Sequence, residues 1–218
     1  MPIANATTVH SDIDHGTKAL YSKITWRLIP FLCFCYLAAY LDRINVGFAK
    51  LQMLEDLQFS TAAYGLGAGL FFIGYAIFEV PSNLLLQRYG ARAWLTRIMF
   101  TWGAAAMAMA FVKGETSFYI LRFVLGAAEA GFFPGIIYYF TQWLPAAERG
   151  KAMAIFLSGS AIASVISGPV SGALLNVSGL SLHGWQWMFL IEGFASIVLC
   201  GFVWFWLQSH PHEAKWLS

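Results

Sequence analysis

The sequence predicts an all-α membrane protein with six transmembrane helices, and two observations carry this prediction. Hydrophobic residues make up 59% of the chain and charged residues only 11%, whereas a soluble domain carries about 25% charged residues. In addition, six apolar runs are long enough to cross about 30 Å of hydrocarbon. Runs of this length predict helices, because the strands of a membrane barrel have about 10 residues of alternating polarity.

The six predicted spans are separated by short polar or turn-forming segments. Residues 1–26 form a polar tail without an apolar core, so we expect no cleavable signal peptide, and the first span would act as an uncleaved insertion signal. Residues 209–218 are expected to begin a central cytoplasmic loop. The bundle, residues 27–208, holds predicted spans at 27–48, 62–82, 93–112, 118–140, 152–174 and 187–207.

The distribution of lysine and arginine predicts the orientation. Positive residues are retained on the cytoplasmic side of a membrane. The protein is therefore expected in the inner membrane, with both termini in the cytoplasm. The opposite side holds two such residues, Lys50 and Lys113. The tails and even-numbered loops hold nine: Lys18, Lys23, Arg27, Arg88, Arg92, Arg97, Arg149, Lys151 and Lys215.

Composition argues against several other classes of function. The net charge is +2, without long basic runs, which argues against nucleic-acid binding. Cys33, Cys35 and Cys200 lie in apolar segments, where cysteine is typical of a helix core rather than of a disulfide framework or a metal site. The histidines lie in tails or loops, and no hydrolase or phosphate-loop motif is present. An enzyme is therefore not expected.

Small residues are concentrated in several spans. Gly65 to Gly74 in the second span favour close packing between helices. Gly168 and Pro169 in the fifth predict a bend, because proline removes a backbone hydrogen bond.

Ionisable residues inside the spans are the main functional signal, because each costs about 2.5–3.5 kcal/mol at mid-bilayer. The apolar run Leu28–Leu41 is too short to cross alone, so the first helix is expected to continue through Asp42, Arg43 and Asn45. These polar groups must then face protein or water inside the membrane.

The fourth span repeats this pattern with Arg122 and Glu129, which are seven residues apart and so lie on one helical face. Two interpretations are open. The charges of both spans could neutralise each other in a structural salt-bridge network. Alternatively, they could form a proton site and an anion site, because a buried carboxyl group can exchange a proton near neutral pH and arginine offers a planar fork that matches a carboxylate.

Other polar residues inside the spans give weaker signals. Tyr40 shares a face with the nearby arginine, and Tyr75 could also offer a hydroxyl group. Glu79 and Glu192 lie near a span end or beside glycine, and we predict structural roles for both. Trp185 and the other tryptophans that flank the sixth span are predicted to anchor it at the membrane interface.

Six motifs follow one another on successive segments: Tyr40–Ala49, Glu79–Leu84, Gly90–Arg92, Arg122–Gly135, Gly184–Gly193 and Ala214–Ser218. In this order they resemble the anion:cation symporter family of the major facilitator superfamily, over nearly the whole chain. The resemblance implies a transporter of twelve spans that works by alternating access, with the substrate bound between two halves. This chain would be the amino-terminal six-span half, built as a 3+3 inverted repeat.

The same resemblance implies the site residues and the coupling ion. Asp42 and Glu129 would be protonation sites, with the proton as coupling ion and no other cofactor. Small organic anions such as sugar acids or tartrate-like diacids would be the substrates. The residues implied to bind the substrate are Arg43, Arg122, Tyr40, Tyr75 and Asn45.

The resemblance also implies a gating loop between the second and third spans. Arg88, Gly90 and Arg92 match it, but Asn83 and Gln87 stand where the family has glycine and aspartate. The missing aspartate weakens the expectation of the usual cytoplasmic gate contact.

Three functions fit these observations. The first is a proton-coupled organic-anion symporter in the lipid bilayer, present as one half, whose second half would be a separate chain or a second copy. The second is a truncated remnant that folds without transporting. The third is drug efflux, which fits the fold but fits Arg43 and Arg122 less well, since they would repel cationic drugs.

Overall fold

The computed structural model describes residues 6–177, 179, 181–214 and 216, with side chains from residue 19 onward. Lys215, the side chain of Lys18 and the end of the last motif lie outside this part. No β-strand occurs in the described ranges, as the all-α prediction requires. The elements are α1 (Ala6–Leu57), α2 (Thr61–Tyr89), α3 (Ala91–Met109), α4 (Glu115–Glu129), α5 (Phe132–Trp143), α6 (Ala146–Leu175), α7 (Gly184–Trp206) and a 3₁₀ turn (Pro211–Glu213).

Helix α1 extends well beyond the predicted span, 27–48, at both ends. The part after the span carries good helix formers, and its Ala49 and Met53 are fully buried. The helix stops before Gln58, which has a positive φ of 55°. Ser60 then caps α2 by accepting a hydrogen bond from the Ala63 N–H at 3.0 Å. The edge of the apolar run therefore did not mark the end of the helix.

The predicted fourth span, 118–140, consists of two helices, which corrects the prediction of one. Helix α4 ends at Glu129, and α5 begins three residues later. Gly131 between them has a φ of 87°, a left-handed conformation that glycine adopts at little cost. Pro134 has no N–H to bond the carbonyl of Ala130, which adds to the break by removing one helical hydrogen bond from this segment.

Among the described residues, five segments are long and apolar enough to cross a membrane: residues 19–57, 61–89, 115–143, 146–175 and 184–206. Helix α3 is outside this group but runs antiparallel to α7. At one end, the Arg92 guanidinium donates to the carbonyl of Trp204 at 2.6 Å. At the other, the Gln186 amide donates to the carbonyl of Ala110 at 2.7 Å. Five of the six predicted spans are therefore matched by such a segment, and α3 lies beside α7 where the third span is predicted.

Glycine allows α2 and α4 to lie backbone to backbone. A Cβ at Gly126 would meet the carbonyl of Phe71, and a Cβ at Gly74 would meet the carbonyl of Phe123. This contact fixes α4 against α2 and so sets the direction in which the polar residues of α4 point. It agrees with the close packing predicted from small residues.

Other predicted features differ in detail. A Cβ at Gly65 would meet nothing within 4 Å in the described part of the chain, so Gly65 does not share in this contact. Helix α6 continues unbroken through Pro169. Trp185 is 1% exposed, and its indole donates to Asp56 at 2.7 Å. It therefore packs inside the bundle, and the prediction of an interfacial anchor was wrong for this residue.

Candidate functional site

Six polar side chains from three helices meet inside the bundle. Asp42 of α1 lies 15 residues after Arg27 and 14 before Asp56, or about 21–23 Å of helix from each. The group is therefore near the middle of the bundle, far from either polar end. We call it the central cluster: Asp42, Arg43 and Asn45 of α1, Arg122 and Glu129 of α4, and Glu192 of α7.

Arg43 and Glu129 form an ion pair between α1 and α4. The Nε of Arg43 donates to Oε1 of Glu129 at 2.7 Å. The side chain of Glu129 is fully buried, whereas that of Arg43 is 27% exposed. The Arg43 guanidinium is thus the accessible partner of the pair, and the carboxylate behind it is sealed from solvent.

Asp42 lies deeper and is held by two neutral donors. The indole N–H of Trp102, on α3, donates to Oδ2 at 2.8 Å, and the amide of Asn45 donates to Oδ1 at 3.2 Å. Asp42 is 2% exposed and Asn45 is fully buried. The carboxyl group therefore has a donor on each oxygen but no cation within salt-bridge distance in the described part of the chain.

Asn45 joins this carboxyl group to a second one. Its Nδ2 also donates to Oε2 of Glu192 at 2.5 Å, so one amide lies between two acids. Oε1 of Glu192 and Oδ1 of Asn45 are buried without a hydrogen-bond partner among the described residues.

Arg122 is the buried cation of the cluster and is 2% exposed. Its Nε donates to the carbonyl of Gly67 at 3.4 Å, and one terminal nitrogen is buried without a partner among the described residues. The acids that act on it electrostatically include Asp42 and Glu129. A buried guanidinium with an unused donor is the kind of group that binds an anion.

An aromatic ring separates the two arginines. The Phe71 ring centroid is 4.7 Å from the Arg122 guanidinium carbon and 5.9 Å from that of Arg43. The ring of Tyr75 lies 4.9 Å from Arg43. Tyr40 is partly buried one turn before Arg43 and packs on Tyr36, with ring centroids 6.1 Å apart. The residues predicted to bind proton and substrate are thus in the cluster, except Tyr75, which lies against its accessible arginine, and Tyr40, which lies one turn before that arginine.

The predicted gating loop is a one-residue connection between α2 and α3. Gly90 has a φ of 84°, which favours glycine. Arg92 donates to the carbonyl of Trp204, and its N–H donates to Ser209 at 3.3 Å. Arg88 lies 5.9 Å from the ring of Tyr89. The contacts of Arg92 join α3 to α7 within the bundle, and a gating role stays a prediction.

The sequence did not indicate that Glu192 belongs to the cluster, nor that Trp102 and Phe71 lie beside it. A structural role was predicted for Glu192, and the structure adds that it shares Asn45 with Asp42. Trp102 and Phe71 gave no signal, because each is one aromatic residue in a long apolar run. Of these three residues, Glu192 could have been identified from the sequence, because an acid inside a span is costly wherever it lies.

Comparison with known proteins decides the family. A model of the Major Facilitator Superfamily matches residues 32–217. The chain belongs to the major facilitator superfamily. A bacterial homologue of the human lysosomal transporter Spinster, in an inward-facing unoccupied conformation, has the same fold with a TM-score of 0.79 and 18% identity, over 86% of this chain and 44% of that chain.

Curated relatives are named as transporters. NicT of Pseudomonas putida, named as a metabolite transport protein, is 69% identical over 100% of this chain and 50% of its own length. A protein of Agrobacterium vitis named as a tartrate transporter is 53% identical over 96% and 48%. A protein of Acinetobacter baumannii named as a quinolone resistance transporter is 53% identical over 92% and 46%. The chain therefore spans about half the length of these relatives, and it is a multi-pass membrane protein of a transporter family rather than an enzyme.

Proposed function

We propose that this chain forms one half of a proton-coupled symporter for small organic anions. One observation carries the proposal: the exposed Arg43 is paired at 2.7 Å with the fully buried Glu129. An accessible cation whose counter-ion is sealed inside the protein can exchange that counter-ion for an anion from solution.

The geometry links anion binding to proton binding. An anion that binds Arg43 competes with Glu129 for the guanidinium. A buried carboxylate that loses its cation is strongly disfavoured, and taking up a proton removes its charge. Anion and proton therefore favour each other's binding, which is the requirement for symport. Asp42 and Arg122 supply a second acid and a second cation deeper in the site.

The substrate class follows from the two guanidinium groups. Arginine binds carboxylates with a planar fork, and two arginines separated by one ring suit a small acid with more than one polar group. The relative named as a tartrate transporter agrees with a dicarboxylate. The relative named as a quinolone resistance transporter supports drug efflux as a second candidate. Quinolones are themselves carboxylic acids, so this candidate also uses Arg43 and Arg122.

The charges at the two ends of the bundle support an inner-membrane orientation with cytoplasmic termini. Lys23, Arg27 and Arg92 lie at the end where the chain leaves α7. Lys50 and Lys113 lie toward the other end. Because positive residues are retained in the cytoplasm, the first of these ends is the cytoplasmic one.

Uptake assays with two variants test the proton sites. The chain is reconstituted in lipid vesicles, both alone and joined to the second half of NicT, and offered a panel of carboxylic acids with and without an inward proton gradient. We expect Asp42→Asn and Glu129→Gln each to abolish uptake driven by the gradient, because the acid can no longer exchange a proton. Exchange of anion for anion should remain measurable in Glu129→Gln, since Arg43 is retained.

Glu79→Gln is the matched control, because Glu79 is also an acid inside a span but has no side-chain hydrogen bond to the central cluster. Gradient-driven uptake that stays normal in both cluster variants would overturn the proton-site assignment. Absence of uptake in both the chain and the joined protein would favour a non-transporting remnant.

A further inference from the structure

Glu192 is a third acid in the central cluster that the proposed mechanism does not use. It projects from α7 toward α1, where Oε2 accepts a hydrogen bond from Asn45 at 2.5 Å. Oε1 is buried without a partner in the described part of the chain. The same Asn45 nitrogen donates to Asp42 at 3.2 Å. Two carboxyl groups therefore share one amide donor inside the membrane.

The cluster has more acids than bases. Asp42, Glu129 and Glu192 contribute three carboxyl groups, whereas Arg43 and Arg122 contribute two guanidinium groups. With all five ionised, the group would carry one net negative charge in a low-dielectric interior, which costs several kcal/mol. One added proton makes it neutral.

The contacts of each acid show where that proton belongs. Glu129 is paired with Arg43 at 2.7 Å. Asp42 accepts donors on both oxygens and acts electrostatically with Arg122. Glu192 has no cation within salt-bridge distance among the described residues. On α1 it faces Asp42, a like charge, and among the described residues its carboxyl group has Asn45 as its one hydrogen-bond partner.

We propose that Glu192 holds the additional proton of the central cluster in the anion-free state. Two like charges around one amide cannot both remain ionised at low cost, so the acid without a cation keeps the proton. Asn45 then connects Glu192 to Asp42, and a change of protonation at Asp42 is felt at Glu192. The inference rests on the proposed function for the role of this proton in coupling, but its presence can be measured without any substrate.

Infrared difference spectroscopy tests this directly, because a protonated carboxyl group gives a carbonyl band that a carboxylate lacks. The purified protein in lipid vesicles, without added anion, is compared at neutral and alkaline pH. We expect a buried protonated-carboxyl band in the unmodified protein at neutral pH, its loss in Glu192→Gln, and its return, shifted in frequency, in Glu192→Asp. Asp42→Asn removes the like charge beside Glu192 and leaves two acids against two guanidinium groups, so its band should disappear at a lower pH than the band of the unmodified protein.

Glu79→Gln is again the matched control and should leave the band unchanged. Glu192→Gln retains a side chain that can hydrogen-bond with Asn45. If Glu192 has only a structural role, this variant should therefore leave the band, the helicity and the melting temperature unchanged. An unchanged band in Glu192→Gln, or a band lost only in Asp42→Asn, would overturn the proposal. Neither result depends on uptake. Failure of the symport assay would therefore contradict the proposed function without contradicting the protonation of Glu192.

Discussion

Arginine is used in two different ways at the middle of this bundle and at the end where the chain leaves α7. At the end, the Arg27 guanidinium carbon lies 4.8 Å from the Trp206 ring and 4.6 Å from the Trp216 ring, and Arg92 donates to a backbone carbonyl at 2.6 Å. In the middle, Arg43 pairs with a sealed carboxylate, and Arg122 keeps a buried donor without a partner among the described residues.

The difference shows which arginines are available to bind another ligand. The end arginines bind aromatic faces and carbonyl groups, neither of which changes charge, so they hold helices together in a fixed state. The central arginines face acids that can take up a proton, so their electrostatic environment can change. The first group should affect stability, and the second should affect both stability and transport.

The largest expected effect is that of Arg43→Gln. It leaves Glu129 buried without its cation, which costs about 3–5 kcal/mol unless the acid takes up a proton. We expect anion uptake to fall more than about 100-fold, which corresponds to about 2.7 kcal/mol, and the melting temperature to fall. Thermal unfolding and uptake are measured on the same preparation.

The double variant Arg43→Gln with Glu129→Gln is the control for this prediction. It removes both charges, so the melting temperature should recover while uptake stays absent, because coupled charges do not act additively. A double variant no more stable than the single one would show that the ion pair is not the main interaction of Glu129.

The sequence allowed most of the central cluster to be predicted, but neither its member Glu192 nor the pairing of its charges. The cost of charge inside a membrane was enough to select Asp42, Arg43, Arg122 and Glu129. Which arginine pairs with which acid depends on how α4 is rotated in the bundle, and the backbone contact of Gly126 with Phe71 of α2 sets that rotation. No local pattern contains this information.

Glu192 is a second residue whose contacts could not be predicted from local sequence. Its neighbours in sequence suggested a helix-packing position, whereas its partner Asn45 is 147 residues away. The fold class was easier to predict, because apolar length is a local property. The break at Gly131 was missed because the apolar run continues across it, although Pro134 was a local signal that a helix could end there.

A smaller effect is expected from Arg92→Gln. It removes the charged donor to the carbonyl of Trp204 at the end of α7 and its contact with that ring at 4.6 Å. Because the hydrogen bond is exposed to solvent, we expect a loss of about 1 kcal/mol of stability. Gradient-driven uptake should remain within about twofold of the unmodified protein. A loss of uptake with unchanged melting temperature would instead support the gating role implied for this loop.

The smallest effect is expected from Lys23→Ala, which removes a hydrogen bond of 2.7 Å to the carbonyl of Trp216. The contact is exposed, and surface substitutions of this kind change stability by about 0.5 kcal/mol or less. Trp216 stays held, because its ring stacks on Trp143 with centroids 5.8 Å apart and lies against Arg27. A melting temperature lowered as much as in Arg92→Gln would contradict this expectation. It would mean that Lys23 fixes Trp216 to the bundle, and that charge at this end contributes more to stability than the aromatic contacts do.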